Sequence, residues 1–171
     1  MKVRRRARIT ALQVLFEVDT ARHAPEFALN QRLEEEPLPE AGAEFSRALL
    51  QGTLAHQSAL DGIIQRIAPE WPIEQMAPVD RNILRLAAYE ILFEEDTPPK
   101  VAINEAVELA KIFGSDSSSR FVNGVLGTLL NQRAAILAAL NAATPGRPSS
   151  RQEMTALSAP DAQQSGGEPR R

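Results

Sequence analysis

Cysteine is absent from the 171 residues. That excludes disulfides and thiolate metal sites and is compatible with a reducing compartment. Aromatic residues are scarce at 5%, while the hydrophobic total is 43% and is dominated by alanine and leucine. This balance favours helices packed through aliphatic side chains over a β-sandwich. Nowhere do β-branched and polar residues alternate strictly over strand length, so an all-α fold is expected. No apolar run is long enough to span a membrane. The basic N-terminus is followed by a segment that Thr10, Gln13, Glu17 and Asp19 interrupt. A secretion signal is therefore rejected, and a cytoplasmic location is the expectation.

Catalytic patterns are also missing. His23 and His56 lie in separate segments without metal-ligand spacing, and no phosphate-binding glycine loop or GxSxG elbow occurs. Carboxylate pairs such as Glu34–Glu36 and Glu94–Asp96 sit at helix ends beside prolines and read as solvated charge. No catalytic residue, metal or cofactor is expected, and the chain does not read as an enzyme.

What is present is helical periodicity, clearest over residues 80–130. Pro78 suits a first turn, and Asp80 favours a helix N-terminus. Ile83, Leu84, Ala87, Ala88, Ile91 and Leu92 then recur at helical spacing. Pro98 and Pro99 break the segment. Ala102, Ile103, Ala106, Val107, Leu109, Ala110 and Phe113 repeat the pattern, with Gly114 expected as a left-handed C-cap. Ser115, Ser117, Ser118, Ser119 and Asp116 offer N-cap oxygens for a third helix that buries Phe121, Val122, Val125, Leu126, Leu129 and Leu130. Asn104 and Asn123 read as buried bridges between helices, and Gly124 and Gly127 as sites of close internal helix approach.

Upstream, residues 1–22 read as a flexible basic lead running into a first helix. A short helix follows around Phe27, Leu29 and Leu33. Residues 40–68 form a long helical stretch that Gly52 and Gly62 weaken, so it bends or divides. Pro69, Trp71, Pro72 and Pro78 mark an internal boundary, with Trp71 expected to anchor it by packing. The pattern gives about six to seven helices, either in two subdomains sharing a core, about 1–69 and 76–140, or in one undivided bundle. Ala134–Ala143 could extend the last helix. Residues 144–171 are rich in proline, glycine, serine and glutamine and are expected to be a disordered tail.

The net charge is −3, which argues against general nucleic-acid affinity. Its distribution matters more. Lys2, Arg4, Arg5, Arg6 and Arg8 crowd the first eight residues with no acid among them. A basic end on an acidic body suggests a localised anion site, and arginine forks match phosphates and stack on bases.

Four blocks in order carry a resemblance. RRRARITALQVLF at the N-terminus, then DRNILRLAAYEI, KVAINEAVELAKIFG and FVNGVL, resemble the NusB family of transcription antitermination factors, from about Arg4 to Leu130. The resemblance implies a compact NusB-like helical bundle whose basic lead binds boxA, a short single-stranded RNA. Unstacked bases of such RNA rest on aromatic or guanidinium planes. The RNA-binding set it implies is Lys2, Arg4, Arg5, Arg6, Arg8, Gln13, Phe16, Arg120 and Phe121. Phe16 matches a position commonly tyrosine, so stacking is retained and a hydroxyl is lost; Phe121 reads equally as core. The ribosomal protein NusE would dock on the helix beginning DRNILRLAAYE, at Asp80 and Arg81, within an antitermination complex on RNA polymerase in ribosomal RNA operons; Glu90 and, on the next helix, Glu105 are added as partner residues because acidic side chains complement a basic ribosomal protein.

An alternative is an RNA-targeting module, since the same domain occurs at the N-terminus of some ribosomal RNA methyltransferases. Only about 40 residues follow Leu130, too few for their α/β catalytic domain. A purely structural helical adaptor would have no RNA affinity.

Overall fold

The computed structural model describes residues 2–143; the expectation for the tail at 144–171 lies outside them. The described residues form eight helices and one 3-10 turn, with no strand. They are α1 (Val3–Ala21), α2 (Pro25–Glu35), α3 (Glu40–Ala55), α4 (Gln57–Ile67), α5 (Pro78–Phe93), α6 (Pro99–Phe113), α7 (Ser118–Asn131) and α8 (Arg133–Ala143), with the turn at Ile73–Gln75 between α4 and α5.

Proline starts three of them. Pro25, Pro78 and Pro99 each open a helix, where the missing N–H has no intrahelical partner to lose and the fixed φ is already helical. The helix count exceeds the sequence expectation because two apolar stretches divide. The 40–68 stretch breaks at His56 (φ −105°, ψ 9°), and the last breaks at Gln132 (φ −98°, ψ 4°). Gly52 is not the break. An added Cβ there would overlap the Tyr89 ring, so this glycine is a seat for Tyr89 on α5.

α5 is the axis of the bundle, packing against α1, α3, α4, α6 and α7. Ile83, Leu84, Leu86, Ala87, Ala88, Ile91 and Leu92 are all buried on it. One continuous apolar cluster runs from Leu12 and Leu15 on α1 through Leu49 and Leu50 on α3 to Leu126 and Leu129 on α7.

Several local expectations are corrected. The basic lead is not flexible coil: α1 begins at Val3, with Lys2 as its N-cap. Gly114 is extended (φ −89°, ψ −174°) and not left-handed. It is needed for space, since an added Cβ would stand 2.7 Å from the Ala110 carbonyl oxygen. The serines do not cap α7 through Ser117; instead Ser118 Oγ accepts the Ser115 N–H at 2.9 Å and closes the loop. Asn104 and Asn123 are exposed and bridge nothing inside. No side chain or distant backbone comes within 4 Å of where a Cβ would stand on Gly124 or Gly127, so neither is a close helix crossing. Trp71 is 58% exposed, and its packing at the boundary is an edge contact with Phe121.

Candidate nucleic-acid interface

The five cations at the start of α1 have three different environments. Lys2 and Arg4 are exposed, and the Arg4 guanidinium lies over the Phe45 ring at 4.7 Å, which fixes its plane. Arg5 Nε and Nη2 donate to both Glu105 oxygens at 3.0 and 3.1 Å. The hydrogen bond from Arg5 holds the Glu105 carboxyl below its usual range despite partial burial, with the Arg5, Arg8 and Lys2 charges helping. Arg6 Nη2 donates to the Pro37 carbonyl at 2.9 Å.

Arg8 differs from the other four. It is 4% exposed, and its Nε and Nη2 donate to Glu90, itself 2% exposed, at 2.9 Å each. Two sequence expectations are corrected by that pair. Arg8 faces the core and cannot meet a phosphate at the surface, and Glu90 cannot meet a protein partner there. A helical wheel shows α1's basic faces but not which of them α5 covers.

Farther along α1, Gln13 and Phe16 come together. They line a pocket of about 150 Å³ with Leu12, Arg32, Val79 and Phe113. Phe16 is 39% exposed. Phe113, read from the sequence only as part of α6's apolar stripe, is half-buried there. Arg32 carried no sequence signal, because nothing local says that α2 folds back against α1. Nearer the N-terminus, Arg6, Ile9 and Thr10 line a second depression with Glu36 and Leu38. Polar and aromatic side chains thus border one face of α1 from Arg6 to Phe16.

Arg120 and Phe121, on α7, lie in another pocket, of about 330 Å³, with Trp71, Gln75, Met76, Ala77, Asp80 and Ser117. The Trp71 and Phe121 rings meet edge to face with centroids 6.1 Å apart. Asp80 Oδ1 is shielded from solvent and has no hydrogen-bond partner among the described residues. A shielded carboxylate oxygen in an aromatic-walled pocket suits a cationic or N–H donor group. The structure therefore joins Asp80, assigned by resemblance to the protein partner, with Arg120 and Phe121, assigned to RNA. Trp71 completes this pocket.

Arg81 turns inward. Its Nε donates to Asp19 Oδ2 at 2.6 Å, and the same oxygen accepts from Asn82 at 2.8 Å. Arg85 reaches Asp19 at 3.3 Å and pairs twice with Asp61, at 2.7 and 2.9 Å. Burial alone would raise the Asp19 carboxyl, but the hydrogen bonds from Arg81 and Asn82 and the charges of Arg85 and Arg81 outweigh it and hold it low. This network ties α1 and α4 to α5. Arg81 and Glu105 are thus engaged within the chain.

Among the described residues no acidic, histidine or cysteine cluster could hold a metal, and no helix is long and apolar enough to cross a membrane. The described residues form a helical bundle with an exposed basic helix start and two aromatic-lined depressions. The NusB family profile matches residues 5–131, so the chain belongs to the NusB family. It is 56% identical over 131 residues to the transcription antitermination protein NusB of Chloroflexus aggregans, covering 75% of this chain and 87% of that one. It is 54% identical over 132 residues to the Roseiflexus NusB, covering 76% and 93%. Among solved structures it resembles Thermotoga maritima NusB (TM-score 0.72, 37% identity, covering 77% of this chain and 92% of that one). It also resembles a chain from a crystal structure of the antitermination factors NusB and NusE in complex with double-stranded RNA (TM-score 0.68, 28% identity, 81% and 98%).

Proposed function

We propose that this chain is an RNA-binding transcription antitermination factor that acts by binding and not by bond chemistry. In this reading it holds boxA RNA along α1, from Lys2 and Arg4 at its start to Gln13 and Phe16. It binds jointly with NusE and works in the cytoplasm within an antitermination complex on RNA polymerase, in ribosomal RNA operons. The observation that carries the reading is the exposed cation set Lys2 and Arg4, continued by the Gln13–Phe16 pocket on the same helix. Cations meet the phosphates and phenyl faces take the bases. The solved complex of the factors NusB and NusE with double-stranded RNA supports RNA and NusE as classes of partner.

In the same reading NusE docks at Asp80. The unpartnered Asp80 oxygen beside Trp71 and Phe121 suits a basic side chain of a ribosomal protein. RNA and protein would then meet near Arg120 and Phe121, and each weak contact would raise the effective concentration of the other. The test is a titration of boxA RNA with this protein, alone and with NusE present. Tighter RNA binding with NusE is the expected result. Undetectable RNA binding under both conditions would dismiss the reading.

A further inference from the structure

Arg32 on α2 leaves one N–H unsatisfied beside the Gln13–Phe16 pocket. Its Nε is shielded from solvent and has no hydrogen-bond partner among the described residues. The side chain is 34% exposed and forms an ion pair with Glu17 at 3.6 Å, a separation beyond hydrogen-bond distance, and the other Glu17 oxygen contacts His23 at 2.6 Å. The charge is paired, but a shielded N–H without an acceptor is still costly, so a ligand that supplied one would be favoured.

The surroundings narrow the ligand. Arg32 shares its pocket with Gln13, Phe16 and Phe113. Two phenyl rings suit a flat, weakly hydrated group. A phosphate there would lie beside the Glu17 carboxylate and against apolar rings, whereas a neutral base avoids both penalties. Arginine has only donors, so the ligand atom it meets must be an acceptor. At the corresponding edge position uracil and guanine present a carbonyl oxygen, while cytosine and adenine present an amino donor.

We infer that this pocket takes one RNA base and that Arg32 donates to a carbonyl oxygen on its edge, favouring uracil or guanine over cytosine or adenine. The inference rests on the RNA-binding reading above and adds base choice to it. Gln13, whose amide both donates and accepts, positions the base without choosing it.

The test is titration of labelled oligouridylate and oligocytidylate of equal length with the full chain and with Arg32→Ala, Arg32→Lys and Arg4→Ala. Thermal stability is recorded for each variant. The full chain should prefer oligouridylate. Arg32→Ala should lose about tenfold on oligouridylate, as for a hydrogen bond from a charged donor, with little loss on oligocytidylate and an unchanged salt slope. Arg32→Lys keeps the charge but not the fork, and should lose the preference too. Equal losses on both RNAs, no loss, or a salt slope flatter by about 0.7 would overturn the inference, the last by making Arg32 a phosphate contact. If Arg4→Ala weakens binding and Arg32→Ala does not, base choice alone fails. If the full chain binds neither RNA, the RNA-binding reading fails with it.

Discussion

Arg8 and Glu90 are 82 residues apart in sequence and joined by two 2.9 Å hydrogen bonds inside the protein. The pair fastens the basic helix α1 to the central helix α5. Removing one partner strands the other charge in the interior. Glu90→Ala should therefore lower unfolding stability by about 3–5 kcal/mol. Replacing both residues by apolar ones of similar volume, Arg8→Met with Glu90→Leu, should restore most of the loss. Denaturant unfolding of the three variants checks this; equal stability of Glu90→Ala and the native chain would mean that the pair is not holding α1.

Two glycines should respond oppositely to alanine. At Gly52 the added methyl meets the Tyr89 ring, and displacing that ring should cost about 1–3 kcal/mol. At Gly62 nothing stands in the way, so alanine should stabilise α4 by about 0.5–1 kcal/mol. Thermal melts of the two variants should move in opposite directions.

Asp19 should set part of the acid limit of stability. Its folded carboxyl titrates below the unfolded value of about 3.9. Its contribution is therefore fully present above that unfolded value and is lost as pH falls through the lower folded one. Asp19→Asn should be less stable at neutral pH, where Arg81 and Arg85 lose their shared carboxylate. It should also show a shallower decline below about pH 4. An identical pH profile for the two proteins would contradict the network's role.

Asp80→Lys places a cation in the Trp71–Phe121 pocket. It should weaken NusE binding by about tenfold or more, since a reversed close charge pair costs more than about 1.5 kcal/mol, and raised salt should reduce that loss by screening. Loss of the helix-end effect should take only about 0.3–1 kcal/mol from folding. Reduced folding stability with unchanged NusE affinity would move the docking face elsewhere.

The helices were legible because their stops are chemical. Pro25, Pro78 and Pro99 mark helix starts in one dimension, and the α5 stripe from Ile83 to Leu92 needs only periodicity. Gln13 and Phe16 could be paired because a single helix turn relates them. The rest depended on the third dimension. Arg8 and Arg4 are indistinguishable in sequence, and only the approach of α5 makes one a core residue. Arg32 gains meaning when α2 returns beside α1. Gly52 reads in one dimension as a helix weakener, and only the fold brings the Tyr89 ring into its space. Gly114 misled because a glycine after a helix usually serves for its φ, whereas here it serves for its size.

The most direct measurement is the salt dependence of single-stranded RNA binding for the native chain and for Lys2→Ala with Arg4→Ala. Each neutralised phosphate contributes a slope of about −0.7 in log K against log salt. If the two exposed cations each meet a phosphate, the double variant should bind more weakly and its slope should flatten by about 1.4. The same slope and affinity in both proteins would contradict an RNA surface at the start of α1.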